Sequence, residues 1–445
     1  MRSNFIPQLL IWPALVAQPP AAVAQPASPA GPVPPANLAA RRATLMERMG
    51  NGIAILRAAS ERSIDPPDAD YPQDTDFRQD NDFFYLTGLE VPDAVLLLIA
   101  QEDGPDQVQL FLPPRNVSQE RWLGAQLGPA EAAEAAGLEP GTVRPSSDRE
   151  RVLDSLLAGS PSNGPRRLFI RKNQRDPRVA EIQQLIGRFG KPEDLLPHLG
   201  ALRLIKDPDE QTRLKRAVEI SAEGHLAAMR AAKPGAWEYE LEAAAEYEFR
   251  RRGAERLGYP SIVGAGVNST VLHYDESRAQ LKDGDLVVMD MGAEFGYYSA
   301  DLTRTIPASG RFSNRQRAIY DLVLAAQQAA IDAVRPGVTM AQLEAIARRV
   351  LRDGSRDLCG ARTCDTFMIH GLGHYLGMDV HDVGSYQVPL AAGVVLTIEP
   401  GVYLPDEGLG VRIEDDILVT PNGHELLSSR LPRKAGDIEA LMRPN

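Results

Sequence analysis

Residues 285–307, DLVVMDMGAEFGYYSADLTRTIP, constrain the fold most, because two runs with strand character flank Phe295-Gly296. A two-residue turn at that point predicts an antiparallel β-hairpin. Asp290 would then lie directly opposite Asp301, with the Cβ atoms about 4.5–5.5 Å apart. Carboxylates this close destabilise a sheet unless one is protonated or a cation lies between them. The hairpin therefore favours a metal ion between its strands.

A second acidic pair is predicted near the C-terminus, in residues 393–419, GVVLTIEPGVYLPDEGLGVRIEDDILV. Two strand-like runs flank a loop rich in Gly, Pro and acidic residues. Glu399 and Glu414 are equally distant from the middle of that loop, between Asp406 and Glu407. A hairpin with this register would oppose two more carboxylates.

Residues 368–384, MIHGLGHYLGMDVHDVG, contain His370, His374 and His381. The first two have the i, i+4 spacing of a zinc-binding HExxH helix, but no glutamate lies between them. Two glycines within one helical turn would cost roughly 1 kcal/mol each relative to alanine, so an extended segment is favoured. In a strand, positions i and i+4 are about 13 Å apart, at roughly 3.3 Å per residue. At most one of the two histidines can then bind a given ion.

The two acidic pairs and one histidine form a ligand set dominated by hard oxygen. Four carboxylates carry too much negative charge for one Zn²⁺ but suit two divalent ions bridged by carboxylates. Each acid taken alone is more simply a solvated strand residue. The functional interpretation depends on the set as a whole.

The length of 445 residues predicts two domains and a tail, of mixed α/β (α+β) class. Residues 38–200 combine strand and helix patterns and form the first predicted domain. Asp207, Pro208 and Glu210 have the spacing of an N-cap, a first-turn proline and a capping-box acid, so residues 205–445 are predicted to form the second. A net charge of −12 argues against nucleic-acid partners. Beyond the N-terminus, no apolar run approaches the ~20 residues that span a bilayer.

The N-terminus resembles a secretory signal. Residues 1–24 contain Arg2, an apolar run and an A-x-A pattern before Gln25, which predicts export to the periplasm or the medium. If this signal is not real, we expect a cytoplasmic protein. Residues 25–37 are rich in Pro and Ala and are predicted to be disordered. The only cysteines, Cys359 and Cys364, either close a small disulfide loop in an oxidising compartment or remain unlinked thiols.

Together, the motifs DMGAEFGYYSADLTRT, HGLGHYLGMDVHDVG, TIEPGVY and VRIEDD resemble those of the pita-bread metallopeptidases, which include methionine aminopeptidase, prolidase and aminopeptidase P. The resemblance covers roughly residues 205–440. It implies metal ligands at Asp290, Asp301, His374, Glu399 and Glu414, with Asp301 and Glu414 bridging two ions. It places His273 and His381 beside the scissile bond, and His370 behind the ligands. A buried, hydrogen-bonded histidine without a direct role is an equal alternative for His370.

The first domain resembles the N-terminal domain of aminopeptidase P, through FRQDNDFFYLTGLEVPDAVLLLI and LFLPPRNVSQERWLGAQLG. Within it, Trp122 matches a tryptophan that helps close a neighbouring subunit's active site in that family; ordinary packing is the alternative. The resemblance implies a homodimer or homotetramer. Two connections near the cleft are shorter than in bacterial aminopeptidase P, which leaves the preferred peptide length open.

The expected function is a metal-dependent Xaa-Pro aminopeptidase that releases the N-terminal residue from peptides with proline second. The resemblance implies two divalent ions, of which Mn²⁺ is expected and Co²⁺ or Zn²⁺ is possible. Glu399 would move a proton from water to the leaving nitrogen, and Arg412 would orient carboxylates unless it is simply solvated. An Xaa-Pro dipeptidase (prolidase) is the close alternative. A non-catalytic binding module of the same fold is the alternative from another class.

Overall fold

The computed structural model describes residues 29–60, 77–102, 104–118, 120–158, 167–172 and 191–443. The predicted signal, residues 1–24, lies outside the described residues, as does the side chain of Trp122. None of the described helices combines the length and the hydrophobicity that a membrane-spanning helix needs.

The first domain is built on one mixed sheet of six strands in the order β4-β3-β2-β1-β5-β6. Its strands are β1 Gly52–Arg57, β2 Val95–Ala100, β3 Gln107–Leu112, β4 Val143–Pro145, β5 Arg167–Ile170 and β6 Glu193–Asp194. Its described helices are α1 Pro35–Met49, α2 Asn81–Thr87, α3 Glu120–Leu123, α4 Pro129–Ala136, α5 Arg149–Ala158 and α6 Leu196–Leu204. Every residue of β1 and β2 is buried, because helices cover both faces of the sheet.

The Pro/Ala-rich segment predicted to be disordered is ordered in its described part, residues 29–37. Helix α1 already begins at Pro35, and Val33 is only 4% exposed. Arg213 donates hydrogen bonds to the carbonyl oxygens of Gly31 and Pro32, at 3.3 and 3.2 Å. Burial of an apolar side chain and satisfaction of backbone carbonyls offset the entropy lost on ordering, so composition alone misjudged this stretch.

The capping box predicted at Asp207 and Glu210 is present. The Asp207 carboxylate accepts hydrogen bonds from the backbone N–H of Asp209 and Glu210, and Glu210 accepts one from the N–H of Asp207. These bonds satisfy donors that the first turn of a helix would otherwise leave unpaired. They start α7, Pro208–Ala231, the longest helix among the described residues.

The second domain packs helices around four small sheets. Its further helices are α8 Glu238–Arg251, α9 Asn314–Ala333, α10 Met340–Asp353 and α11 Ala435–Leu441. Its strands are β7 Arg256–Leu257, β8 Ile262–Ala265, β9 Leu286–Asp290, β10 Ala293–Phe295, β11 Tyr298–Ser299, β12 Thr303–Pro307, β13 Val395–Ile398, β14 Gly401–Leu404, β15 Leu409–Arg412, β16 Asp415–Thr420 and β17 Gly423–Leu426. An antiparallel bridge between Thr303 and Glu414 joins the two acidic hairpins. The two sets of carboxylates therefore meet.

The first hairpin exists, but its predicted register is wrong. Phe295 pairs with Tyr298, so the turn is Gly296-Tyr297 rather than Phe295-Gly296, and Asp290 lies opposite Thr303. Both turn residues have positive φ, 58° and 72°, as a type I′ turn requires. Tyr297 accepts this unfavourable conformation because its ring stacks on Phe84 of the first domain, with centroids 3.7 Å apart. Sequence offers no sign of that contact.

The predicted register of the second hairpin is confirmed. Gly401 pairs with Arg412 in β14 and β15, and Ile398 pairs with Asp415 in β13 and β16. Glu399 and Glu414 lie opposite each other between these two ladders. Elsewhere in the domain, Cys359 and Cys364 form a disulfide, with Cα atoms 5.3 Å apart.

Candidate metal centre and active site

The acidic hairpins line a cavity of about 610 Å³. Asp301, His374 and Glu414 each present one ligand atom, and these atoms all lie within 4.8 Å of one another. Asp290 and Glu399 line the same cavity. The residues that the resemblance names as ligands thus come from both hairpins and the histidine segment, and the fold brings them together.

Asp290 and Asp301 converge although they are not opposed in the sheet. The hydroxyl of Tyr259 lies 2.6 Å from Oδ1 of each. Arg412 donates from Nη2 to Oδ2 of Asp290 at 2.6 Å. Tyr259 was missed from the sequence because it lies between short strands, outside any motif, and only tertiary structure brings it to the acids.

The second acidic pair is held by two threonine hydroxyls, one from the neighbouring strand β12 and one from β13, which Glu399 directly follows. Thr303 donates to Oε2 of Glu414 at 2.6 Å, and Thr397 donates to Oε1 of Glu399 at 3.3 Å. His374 Nε2 lies 3.3 Å from Asp301 Oδ2 and 3.6 Å from Glu399 Oε1. The two hydroxyl bonds and the contacts with His374 constrain the direction of the carboxylates.

The electrostatics show that this set of acids lacks positive charge. Burial and the neighbouring Asp301 and Glu399 raise the pKa of Glu414 well above its usual value. Burial, followed by Asp290, also raises the pKa of Asp301. For Asp290, burial opposes ionisation, but Arg412 and Tyr259 outweigh it and lower the pKa. Burial lowers the pKa of His374, but Asp301 and Glu399 outweigh this effect and raise it to about 9. One arginine and one histidine cannot neutralise four carboxylates, so the donor set fits divalent cations with hard-oxygen preference.

The histidines divide into three positions. His374 lies among the acids, and the ring of His381 lies 4.2 Å from its ring. His273 lines the cavity beside Leu272 and Tyr259. The ring of His370 is instead engaged by the hydroxyl of Tyr403, at 2.8 Å from Nε2. His370 therefore contacts Tyr403.

Arg412 is not a solvated residue. It is 3% exposed, and besides Asp290 it donates to the hydroxyls of Thr303 and Tyr403, at 3.2 and 3.0 Å. A continuous chain of hydrogen bonds thus runs from His370 through Tyr403 and Arg412 to Asp290. Trp122 lies on α3 of the first domain, and its contacts fall outside the described residues.

Known proteins resemble this chain over nearly its whole length. Residues 212–421 match the model of metallopeptidase family M24, and residues 38–163 match the model of the aminopeptidase P N-terminal domain. The Xaa-Pro aminopeptidase of Escherichia coli K12 is 35% identical over 436 residues, which cover 90% of this chain and 96% of the relative. Intermediate cleaving peptidase 55 from mitochondria of Arabidopsis thaliana is 34% identical, over 90% and 82% of the two chains.

Solved structures agree. Aminopeptidase P from E. coli with the inhibitor Pro-Leu superimposes with a TM-score of 0.84 at 34% identity, covering 93% of this chain and 99% of that one. A putative aminopeptidase P from Bacillus anthracis gives a TM-score of 0.85 at 31% identity. These matches and the cavity establish a metal-dependent peptidase with the pita-bread fold in its second domain. The chain belongs to metallopeptidase family M24, within its aminopeptidase P branch.

Proposed function

We propose that this protein hydrolyses the bond between an N-terminal residue and a following proline. The observation that carries the proposal is the convergence of Asp301, His374 and Glu414 with two further acids in one cavity. Relatives named for Xaa-Pro aminopeptidase activity match both domains, including the N-terminal domain that methionine aminopeptidases lack. This extent favours an Xaa-Pro aminopeptidase over other peptidases of the same fold.

Five side chains would hold two divalent ions. They are Asp290, Asp301, His374, Glu399 and Glu414. When bound, such ions polarise carbonyl oxygens and lower the pKa of water toward neutrality. We expect Mn²⁺ by the family resemblance; the four carboxylates among the five ligands are compatible with it, and equally with Co²⁺ or Zn²⁺.

The residues of the cavity are placed for proton transfer, stabilisation of the oxyanion and orientation of the aspartates. Glu399 faces the cavity, and Thr397 is its one hydroxyl donor among the described residues, so its carboxylate is placed to move a proton toward the leaving nitrogen. His273 and His381 present ring nitrogens that can donate to the oxyanion as it develops. Arg412 and Tyr259 hold the two aspartates in place.

The substrate class is tested with matched peptides. The wild-type protein is assayed with Mn²⁺ on Xaa-Pro-Yaa, Xaa-Ala-Yaa and Xaa-Pro, with Asp301→Asn as the control. We expect metal-dependent release of the first residue from Xaa-Pro-Yaa alone or with Xaa-Pro, and no turnover by the mutant. Cleavage of Xaa-Pro only would identify a dipeptidase. Equal cleavage of Xaa-Ala-Yaa would contradict the proline requirement.

We also propose export and self-association. Export is supported by the sequence of residues 1–24 and is compatible with the disulfide between Cys359 and Cys364. Fractionation of expressing cells, with N-terminal sequencing of the mature chain, tests it; a full-length chain in the cytoplasm would contradict it.

A homodimer or homotetramer is expected by resemblance, and light scattering across a concentration series measures it.

A further inference from the structure

The loop that carries His381 is tied to the first domain by a group of charged side chains, here called the interdomain charge cluster. It consists of Asp82 of α2, Arg203 of α6, Lys206 between the domains, and Asp379 and Asp382 of the loop. All of them except Asp379 are buried. Arg203 is 2% exposed and donates to all three carboxylates, at 2.6–2.7 Å. One guanidinium thus connects the first domain to the catalytic loop.

Asp382, the residue after His381, is fixed at both its side chain and its backbone. Its two carboxylate oxygens accept from Arg203 at 2.6 Å and from Lys206 at 2.9 Å. Its backbone N–H donates to the carbonyl of Tyr375 at 2.8 Å. Burial disfavours its charge, but Lys206 and Arg203 outweigh this effect and lower the pKa of Asp382. The residue is therefore an ionised anchor at neutral pH.

The first domain also holds the loop through two side chains outside the cluster, Asn81 and Arg78. The side-chain amide of Asn81 donates to the carbonyl of Met378 at 3.2 Å and to the carboxylate of Asp379 at 2.8 Å. Arg78 donates to the same Met378 carbonyl at 3.2 Å. The loop is thus fixed from outside its own domain.

His381 has no such anchor on its ring. The residue is exposed, and among the residues that the structure describes its ring nitrogens have no hydrogen-bond partner. The direction of the ring therefore depends on the backbone on either side, where Val380 lines the cavity and Asp382 is held by the cluster.

We propose that Arg203 is a positioning residue, which holds Asp382 and so fixes the backbone from which His381 reaches the substrate. The inference rests on the proposed function only in the catalytic use of His381. It makes the first domain a structural part of the active site.

A matched control separates positioning from general stability. Arg41 of α1 is also buried, and it links the domains through Asp207 at 2.9 Å and Glu210 at 3.5 Å. Within the described part of the chain, its hydrogen-bond and ion-pair partners include no residue of the loop at 376–384. Arg41→Met therefore breaks a comparable interdomain pair without releasing His381.

The experiment compares Arg203→Met, Arg41→Met and Asn81→Ala in the full-length protein, each with and without His381→Ala. We expect Arg203→Met to lower kcat about 10- to 100-fold, with KM changed less than about threefold, since a misplaced group weakens transition-state contacts. The loss should nearly vanish in the His381→Ala background. Arg41→Met should keep kcat within about threefold at a similar fall in Tm.

Asn81→Ala removes only the neutral amide that binds the loop. If Arg203→Met does not fold, this variant shows whether release of the loop impairs catalysis through His381. We expect it to lower kcat about 3- to 10-fold, again only when His381 is present. The proposal is overturned if the loss persists in full without His381, or if Arg41→Met lowers kcat as much as the cluster variants.

Hydrogen exchange of residues 376–384 provides a readout that does not need activity. Exchange should accelerate in Arg203→Met or Asn81→Ala and stay unchanged in Arg41→Met. Equal exchange in all variants overturns the proposal. If the wild-type protein cleaves no Xaa-Pro peptide, the proposed function fails, and the exchange result alone decides whether the cluster fixes the loop.

Discussion

The guanidinium of Arg412 donates to Oδ2 of Asp290 across 2.6 Å, deep in the cavity wall. The same side chain also contacts Thr303, Tyr403 and the carbonyl of Leu272. It therefore supplies both charge and direction to one side of the acidic set.

Replacing Arg412 by lysine should lower kcat about 100-fold while the protein stays folded. A lysine keeps the charge but is a single point donor that cannot reach four partners in a plane. Steady-state kinetics and the unfolding temperature measure the effect. Arg315→Lys, which alters an exposed pair with Glu407, is the control and should be neutral. Activity within threefold of wild type in Arg412→Lys would contradict the orienting role.

Tyr259→Phe should weaken metal binding at the aspartates. The hydroxyl contacts both Asp290 and Asp301 at 2.6 Å, and its loss removes the donor that orients them. We expect about 10- to 100-fold weaker affinity for at least one ion, measured by elemental analysis after dialysis against graded Mn²⁺. Unchanged metal content and activity would show that the hydroxyl is dispensable.

Glu238→Gln should change the position of His273, because Glu238 binds residues that precede and follow His273 in the chain. The buried carboxylate accepts from the N–H groups of Ala265 and Ala279 and from the Asn268 amide and Tyr274 hydroxyl, at 2.7–3.1 Å. An amide cannot accept from all of these donors, so we expect kcat to fall about 10-fold.

The double variant with His273→Ala shows whether the effect of Glu238 runs through His273. In that background Glu238→Gln should cost less than about twofold. Glu240→Gln, on the same helix but at its exposed cap, is the matched control. Additive losses would mean that Glu238 acts by stability alone.

His225 should make the second domain acid-sensitive. Burial and Arg304 lower its pKa from 6.5 to about 4, and the neutral ring bonds the carbonyl of Met291. Because the unfolded chain binds the proton more readily, stability is complete above pH 6.5 and falls as pH decreases toward 4. The loss approaches about 3 kcal/mol.

Denaturant unfolding at several pH values measures this slope. His225→Gln keeps an amide donor for the Met291 carbonyl but cannot titrate. Its free energy of unfolding should therefore vary less between pH 6.5 and 4 than that of the wild-type protein. Parallel curves for the two proteins would assign the acid sensitivity to other groups.

The sequence predicted strand pairing correctly where the residues of the hairpin alone determine its register. Glu399 and Glu414 were placed opposite each other correctly, because the hairpin loop between them is symmetric and bounded by clear strand patterns. Asp290 and Asp301 were placed wrongly, because Phe84, more than 200 residues away, selects the turn at Tyr297. A one-residue shift of the turn changes which residues oppose each other.

Long-range contacts account for most of what was missed. Tyr259, Arg203 and Glu238 have no motif around them, and each functions through partners brought together only by the tertiary fold. The ordered segment before α1 is a similar case, because Arg213 binds it from the second domain. Motif spacing identified the residues that meet at the cavity, but not those that hold them.

The most direct test of the account is Mn²⁺ titration of the chelated protein with Xaa-Pro-Yaa as substrate. Activity should appear as two ions bind per chain, and Asp301→Asn and Glu414→Gln should abolish it. Full activity with one ion per chain, or cleavage that persists in both variants, would contradict a dinuclear Xaa-Pro aminopeptidase.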